Sequence, residues 1–431
     1  MAITITDQPN AWSPRGQRLL FYMTSTQSSQ LGFRIGATVT RSSDGAVFNF
    51  MLSNDPYGGV MFDLGSLVNL RNYEEDPDLH AQSDENSEPI GSAWEEYGVV
   101  FEEYWTVSGA LTPSGDPTEA INIIVVNGYY QMSDGYKPNS NLGNIKVKYA
   151  LTSGVNSRAM SDRFKETHTW TMLRTAYVGV PLPQTIYIPV READYGLLFI
   201  PDGTTYLPAN AADKWRLRLY DSAGTLHTYT SPSFSGYPIT QLGVYPANLN
   251  ASTAVTEKPE DYPNWRYYIV DIINASGVGV SAPYVFYNAE LYGQWDCRYT
   301  PVRLAWVNSR SGWDYFNFIK KNEITDTIER KQYKQTRWRG SSPFYLSSDR
   351  VLTDRETLVT QTLSVTSDWI QENEYVFLRS LLVSNQVHIV NDDGSFTPCS
   401  IEDTNFLERK ERNGKLYNVA FTIKYSQDYW S

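Results

Sequence analysis

Residues that could ligate a metal or act as nucleophiles are few in this chain and fall into no known motif. The 431 residues contain four histidines and two cysteines: His80, His168, His227, His388, Cys297 and Cys399. Zinc sites use close Cys and His pairs such as CxxC or HExxH, and the sequence has neither. We therefore expect no metal site. The two cysteines could pair in space, but we expect two separate reduced thiols.

Catalytic carboxylates cannot be recognised from spacing either. Glycoside hydrolases need two carboxylates about 5–10 Å apart, and the best local candidate is Glu102-Glu103 in VVFEEYW. Adjacent strand residues point to opposite faces of a sheet, so these two cannot form a pair with each other. The stretch 74–89 has seven acids but lacks the Gly of a calcium loop, which favours a solvated loop.

Sequence motifs of common enzyme classes are also absent. No GxSxG, P-loop or GxGxxG occurs. We expect no catalytic residues and no cofactor, so the chain is predicted not to be an enzyme.

Composition restricts the class of protein further. A chain of 431 residues predicts two to four domains, and 31 Tyr and 12 Trp favour half-buried strand faces and interfaces. A formal net charge of −12 argues against general nucleic-acid binding. No apolar stretch is long enough to span a membrane. The N-terminal residues MAITITDQPNAWSPRG lack the features of a signal peptide, so we expect synthesis in the cytoplasm without export.

Short strand patterns dominate the chain and predict a mainly β, multi-domain fold of stacked β-sandwiches. Residues 32–38 and 46–51 flank Ser43-Asp44-Gly45, which is typical of a hairpin turn. We predict a first β-sandwich over 1–155, with further strands over 60–70 and 120–133. A second sandwich-like domain is predicted over 156–290. There, 215–220 alternates apolar and polar residues, and 266–287 resembles the final hairpin of a fibronectin type III domain.

The predicted third domain, 291–431, has a different composition and is expected to be α+β. Its one clear helix is predicted over 367–385, with Ser367 or Asp368 as the N-cap. The apolar stripe of this helix comprises Ile370, Phe377, Leu378, Leu381 and Leu382. Two hairpins are predicted after it, one turning at 391–394 and one at Asn413-Gly414.

Segment 304–318, LAWVNSRSGWDYFNF, concentrates aromatic residues on both sides of a turn-like 308–312. Its aromatic residues are Trp306, Trp313, Tyr315, Phe316 and Phe318. Three roles fit this pattern: a core hairpin, a seam between protein subunits, or a platform for sugar rings. The residues alone leave these alternatives open.

A basic stretch follows this segment. It contains Lys320, Lys321, Arg330, Lys331, Lys334, Arg337 and Arg339. In an acidic chain such a stretch can serve self-assembly or docking, and a solvated strand pair with scattered charges fits it equally well. Nucleic acid binding ranks behind both.

The order of these C-terminal elements resembles virion structural proteins of tailed bacteriophages, in particular the crAss-like phages that infect Bacteroidota. Those proteins have an aromatic hairpin followed by a helix that starts with Trp. The matching positions are Trp306, Asn308, Asp314, Phe316, Phe318, Trp369, Leu381, Leu382 and Ser384. Around the turn the spacing differs, since Gly312 directly precedes Trp313. The N-terminal stretches AWSPRGQRLLFYMTSTQSSQLGFRI and NDPYGGVMFDLGSLV are similar to the opening sandwich of such proteins.

The resemblance covers about two thirds of the chain and implies a tail component such as a hub, baseplate or collar. It implies a homo-oligomer, a ring or trimer, that docks to other virion proteins and is located in the virion. The interface residues we predict are Trp306, Trp313, Tyr315, Phe316, Phe318, Lys331, Lys334, Arg337 and Arg339. The alternatives are a glycan-binding or glycan-degrading β protein, including a receptor-binding tail part, and a non-viral scaffold of stacked sandwiches.

Overall fold

The computed structural model of the chain describes residues 3–9, 12–15, 18–68, 88–89, 94–126, 186–201, 213–233, 239–279, 283–291, 298–308, 312–334, 352–370, 372–403, 418–426 and 429–430. Strand accounts for 55% of these residues, and the expected mainly β, multi-domain class is confirmed. The chain divides into two compact units, Met1–Tyr292 with Asn308–Asp314 and Gly293–Val307 with Tyr315–Ser431. The predicted boundary near residue 155 lies outside the described residues, and the three-domain division stays a prediction.

The N-terminal part of the first unit is a sandwich of two sheets. Its strands are β1 (Ile3–Asp7), β2 (Trp12–Pro14), β3 (Leu20–Ser25), β4 (Arg34–Arg41), β5 (Val47–Ser53), β6 (Gly59–Asp63), β8 (Trp94–Val107), β9 (Ala110–Pro113) and β10 (Ile121–Val126). Strand β7 (Glu88–Pro89) precedes β8 in the chain but belongs to another sheet. One sheet has the order β1-β3-β6, and the other β2-β10-β8-β4-β5 with β9 beside β8. Buried side chains of both sheets, among them Phe21, Phe62 and Phe101, form one core.

The predicted hairpin turn at Ser43-Asp44-Gly45 is confirmed. β4 pairs antiparallel with β5, and Gly45 has a φ of 68°, a conformation that glycine adopts without strain. The Arg41 guanidinium binds the Asp44 carboxylate and lowers the pKa of Asp44 to about 2. Turn chemistry therefore fixes the register of this hairpin locally.

The remaining strands of the first unit form two more sheets. They are β11 (Ile186–Val190), β12 (Leu198–Pro201), β13 (Lys214–Tyr220), β14 (Leu226–Thr230), β15 (Ile239–Leu242), β16 (Tyr267–Ile273) and β17 (Tyr284–Asn288), with helix α1 (Pro246–Ala251) between β15 and β16. The sheets have the orders β11-β17-β16-β13-β14 and β12-β15-β7. As predicted, alternate residues of β13 are buried, and β16 pairs antiparallel with β17.

The last sheet of the chain has eight strands in the order β19-β18-β22-β23-β24-β21-β20 with β25 beside β21, and its residues belong to the second unit except Trp313 and Asp314. Its strands are β18 (Val302–Val307), β19 (Trp313–Phe318), β20 (Glu323–Lys334), β21 (Leu352–Thr366), β22 (Val387–Val390), β23 (Phe396–Ile401), β24 (Ala420–Tyr425) and β25 (Tyr429–Trp430). The predicted hairpin at 391–394 joins β22 to β23, while Asn413-Gly414 lies outside the described residues.

The helix predicted over 367–385 has different bounds in the structure. Two short helices replace it, α2 (Glu372–Phe377) and α3 (Arg379–Val383). Neither Ser367 nor Asp368 caps them. The Ser367 hydroxyl instead accepts a hydrogen bond from the Val419 amide at 2.9 Å, and the Asp368 carboxylate accepts one from the next amide. The predicted start was therefore wrong, because Ser367 is engaged by a residue distant in sequence.

Candidate assembly surface

The aromatic side chains of segment 304–318 lie inside the protein. Trp306, Trp313, Tyr315, Phe316 and Phe318 are all at most 7% exposed. The structure thus places them as a core hairpin, one of the three roles that the pattern allowed. Buried side chains cannot contact a partner or a sugar unless the hairpin rearranges. The predicted role of these five residues in an interface stays a prediction.

One face of this hairpin packs against the two short helices and against strand β24, which lies further along the same sheet. The Trp306 Nε1 donates a hydrogen bond to the Ser380 hydroxyl at 2.9 Å, and the Trp306 ring centroid lies 5.2 Å from that of Phe377. Phe318 lies edge-on to Phe421 at 5.9 Å between centroids. The apolar positions predicted for the helix, Ile370 and Leu381 among them, belong to this core.

The opposite face of the hairpin buries an arginine. The Arg303 guanidinium lies 4.9 Å from the centroid of the Tyr315 ring and donates a hydrogen bond to the side-chain oxygen Oδ1 of Asn317 at 3.3 Å. A buried guanidinium needs such partners, because desolvation of its charge is costly. Both faces of β19 are consequently occupied by the protein itself.

The turn between β18 and β19 is stabilised by Asn308. Its amide donates to the Gly312 carbonyl at 2.8 Å, and its side-chain oxygen accepts from the Gly312 amide at 3.1 Å. The hairpin expected from the sequence is therefore present, although residues 309–311 lie outside the described part of the chain.

The basic stretch forms the most exposed strand of the second unit. All twelve residues of β20 are exposed, and β20 pairs antiparallel with β21 from Glu323↔Ser364 to Lys334↔Leu352. Of the predicted interface cations, Lys331 and Lys334 lie on this strand, and Arg337 and Arg339 lie outside the described residues. The solvated strand pair considered from the sequence matches this placement.

The strand β20 has one described neighbour. β24 pairs with β21 only over Thr362–Thr366, and β25 only at Leu358 and Val359, on the side away from β20. Before Leu358, β21 and β20 continue as a two-stranded ribbon among the described residues. We call β20 and its partner residues 352–364 the ribbon.

One face of the ribbon continues the core face of the sheet. Ile324 is directly opposite Leu363, which is a buried member of the core, and Ile328 is opposite Val359. Paired residues share a face, so Ile324 and Ile328 extend the apolar face beyond the part that the core covers. Their side chains are 62% and 53% exposed. A partner covering this face would bury both.

Charges along β20 are segregated by sign. The acids Glu323, Asp326 and Glu329 come first, and the bases Arg330, Lys331 and Lys334 follow. Two of these residues have cross-strand partners: the Lys331 ammonium lies 2.9 Å from the Glu356 carboxylate, and Gln361 donates to Asp326 at 2.9 Å. The sign change was readable in the sequence; the exposure of the whole strand was not.

The other chemical candidates from the sequence do not form a site. Glu103 is buried and accepts a hydrogen bond from the Ser25 hydroxyl, whereas Glu102 accepts from the Tyr104 hydroxyl at 3.2 Å. The two carboxylates thus have separate structural partners. Among the described residues no group of three or more His, Cys, Asp or Glu could hold a metal ion, and the predicted acidic loop is outside them except for 88–89.

Comparisons with known proteins leave the family open. No protein-family model matches the chain, and no curated protein matches it. Among the solved structures that are similar is a tetra-tandem repeat in the extending region of a large adhesion protein, at 9% identity and a TM-score of 0.21, with 100% of this chain and 89% of that chain covered. A TM-score this low carries no argument about fold or function. No helix in the described part of the chain is long and apolar enough to cross a membrane.

Proposed function

We propose that the chain is a structural component of a bacteriophage virion, in the tail as a hub, baseplate or collar part. It acts by self-assembly and by docking to other virion proteins, and it has no catalytic role. The observation that carries this proposal is the ribbon, in which all twelve residues of β20 are exposed at the edge of a sheet. The resemblance of the C-terminal elements to tail proteins is the reason for proposing a bacteriophage tail as the place of assembly.

An exposed edge strand favours assembly for a physical reason. Its unpaired amides and carbonyls are a template for another strand, and soluble monomers usually shorten, twist or cover such edges. Here the strand is twelve residues long, against a typical strand of about 5–6 residues. Ile324 and Ile328 add apolar area that a partner would remove from water.

Glycan binding, the alternative function, loses its main support from the geometry. A sugar platform needs exposed aromatic rings, and the rings of segment 304–318 are buried. Carboxylate chemistry at Glu102 and Glu103 loses support as well, because Glu103 is buried and bonded to Ser25.

The test of virion membership is direct. Particles are purified from lysed host cultures on a density gradient, and the tails are analysed by mass spectrometry and by labelling with antibodies against this chain. We expect stoichiometric peptides of the chain and labels confined to the tail. Purified particles free of the chain would overturn the proposal, and labelling of the head would overturn its placement in the tail.

A further inference from the structure

The outer edge of β20 is the strongest unassigned surface in the described residues. We propose that β20 pairs antiparallel with β20 of a second copy of this chain and thereby joins two sheets into one. This inference deepens the proposed function and rests on it for its biological setting. It names the partner, a second copy, and the surface through which the two copies assemble.

The backbone of β20 is suited to such pairing. In an antiparallel ladder, alternate residues direct both N–H and C=O toward one side, so about six of the twelve residues direct theirs away from β21. The strand contains no proline, which would remove a donor. Its one register shift lies between Lys331 and Gln332, near the far end, so Glu323–Lys331 forms a regular edge.

The order of charges selects a second copy in antiparallel orientation. The acidic half of β20, with Glu323, Asp326 and Glu329, precedes its basic half. Antiparallel pairing of two copies sets the acidic half of each against the basic half of the other, whereas parallel pairing would align like charges. A second copy necessarily has the same order of acidic and basic residues. A strand of an unrelated protein would have this order only by coincidence.

Symmetry restricts the register. A two-fold axis perpendicular to the sheet keeps each residue on its own face, so one residue sits opposite its own copy. Centring on Asp326, Glu329 or Arg330 would oppose like charges. Centring on Ile328 opposes the two Ile328 side chains and sets Asp326 of each copy opposite Arg330 of the other.

The Ile328-centred register also uses the apolar face of the ribbon. Asp326, Ile328 and Arg330 lie on the same face as Ile324 and Val359, because residues two apart in a strand share a face. The central Ile328 pair would therefore be flanked by apolar neighbours on the inside and by an Asp–Arg pair on each side. This is an apolar centre with a charged rim, as in stable interfaces.

Charge reversal tests the pairing and its register. The full chain and the variants Asp326→Arg and Arg330→Asp are compared by sedimentation and light scattering over a concentration series. Each single variant opposes like charges at two positions, so we expect its self-association to weaken by about tenfold or more. Mixing the two variants restores both Asp–Arg pairs, and we expect a mixed dimer as tight as the wild type. Glu119→Arg reverses an exposed acid outside the ribbon and is the matched control.

Cross-linking supplies a second readout that does not depend on weakened binding. In a Cys297→Ser background, Ile328→Cys places two thiols across the two-fold axis, where antiparallel Cα atoms are about 4.5–5.5 Å apart. We expect oxidation to give a covalent dimer of Ile328→Cys. Thr327→Cys, whose copies lie opposite Glu329 in this register, is the control and should give no covalent dimer on oxidation.

The outcomes separate this inference from the proposed function. Assembly that is unaffected by either reversal, or an Ile328→Cys variant that does not cross-link, would overturn the β20 pairing and leave virion membership standing. A wild-type chain that is monomeric at all concentrations would also overturn it. Absence of the chain from purified particles would overturn the function while the dimer could still form.

Discussion

Strands β19 and β20 follow each other along the chain and lie at opposite ends of the same sheet, yet their environments are opposite. All six residues of β19 are buried, and all twelve of β20 are exposed. In WDYFNF, apolar or aromatic groups occur at both alternating sets of positions, which requires cover on both faces of the strand. In EITDTIERKQYK, charged residues occur in both sets, also in the one that contains Ile324 and Ile328, and neither face of the strand is buried.

The difference shows where each strand obtains its stability. β19 is stabilised by side-chain packing, including the contact of Phe318 with Phe421, while β20 depends on its ladder with β21. Isolated two-stranded ribbons are marginal in water, so β20 is held as an extension of the sheet to which β21 belongs. Substitutions at the two ends of this sheet should therefore differ in cost by an order of magnitude.

The largest expected effect is that of Trp306→Ala. Trp306 is fully buried, contacts Phe377 and donates a hydrogen bond to the Ser380 hydroxyl, so its truncation leaves a cavity and removes that hydrogen bond. We expect a loss of about 3–5 kcal/mol in the free energy of unfolding of the second unit. Urea unfolding monitored by circular dichroism measures it. Tyr333→Ala on β20 is the control. An equal loss of free energy of unfolding in the two variants would refute the contrast between the buried hairpin and the exposed strand β20.

The sequence predicted correctly those turns of the fold that depend only on the residues within the turn. The turns at Ser43-Asp44-Gly45 and 391–394 were predicted because Asp, Asn and Gly favour hairpin turns wherever they occur. The start of the helix was not, because Ser367 bonds to Val419, a partner 52 residues away. Sequence patterns carry no information on such a distant competitor.

The candidate assembly surface likewise has features that the sequence predicted and features that it could not predict. Burial of segment 304–318 was one of three alternatives, and an aromatic pattern alone could not choose, since rings suit cores and interfaces equally. The charges of β20 were visible, but its position at the sheet edge depends on the pairing of β21 with β24. That pairing joins residues about sixty positions apart in sequence, and no local period reveals it.

An intermediate effect is expected from Cys399, which lies in β23 between the two ends of the sheet. Burial raises the pKa of the Cys399 thiol from 9.0 to about 12. Because the folded chain keeps this proton more tightly, its contribution to stability is complete below pH 9 and is lost as pH rises from 9 toward 12. We expect about 1 kcal/mol of lost stability near pH 10.

Comparison of two variants isolates this contribution from that of titrating tyrosines. Urea unfolding at pH 8 and pH 10 is measured for Cys297→Ser and for Cys297→Ser with Cys399→Ala. The alkaline loss should be smaller in the double variant by the contribution of Cys399. Identical pH dependence in the two chains would show that the Cys399 thiol titrates alike in the folded and unfolded states.

The smallest expected effect on stability tests the contrast between buried and exposed strands most directly, because it compares two residues that are paired across β20 and β21. Ile324 is 62% exposed, and its direct partner Leu363 is 5% exposed, although both side chains are on the same face. At concentrations where the chain is monomeric, Ile324→Thr should change the free energy of unfolding by less than about 0.5 kcal/mol. Leu363→Thr should cost about 2–4 kcal/mol, since it removes core volume and buries a hydroxyl. If Ile324→Thr proved as costly as Leu363→Thr in the monomer, the ribbon would be covered by the chain itself, and the exposed edge on which assembly depends would not exist.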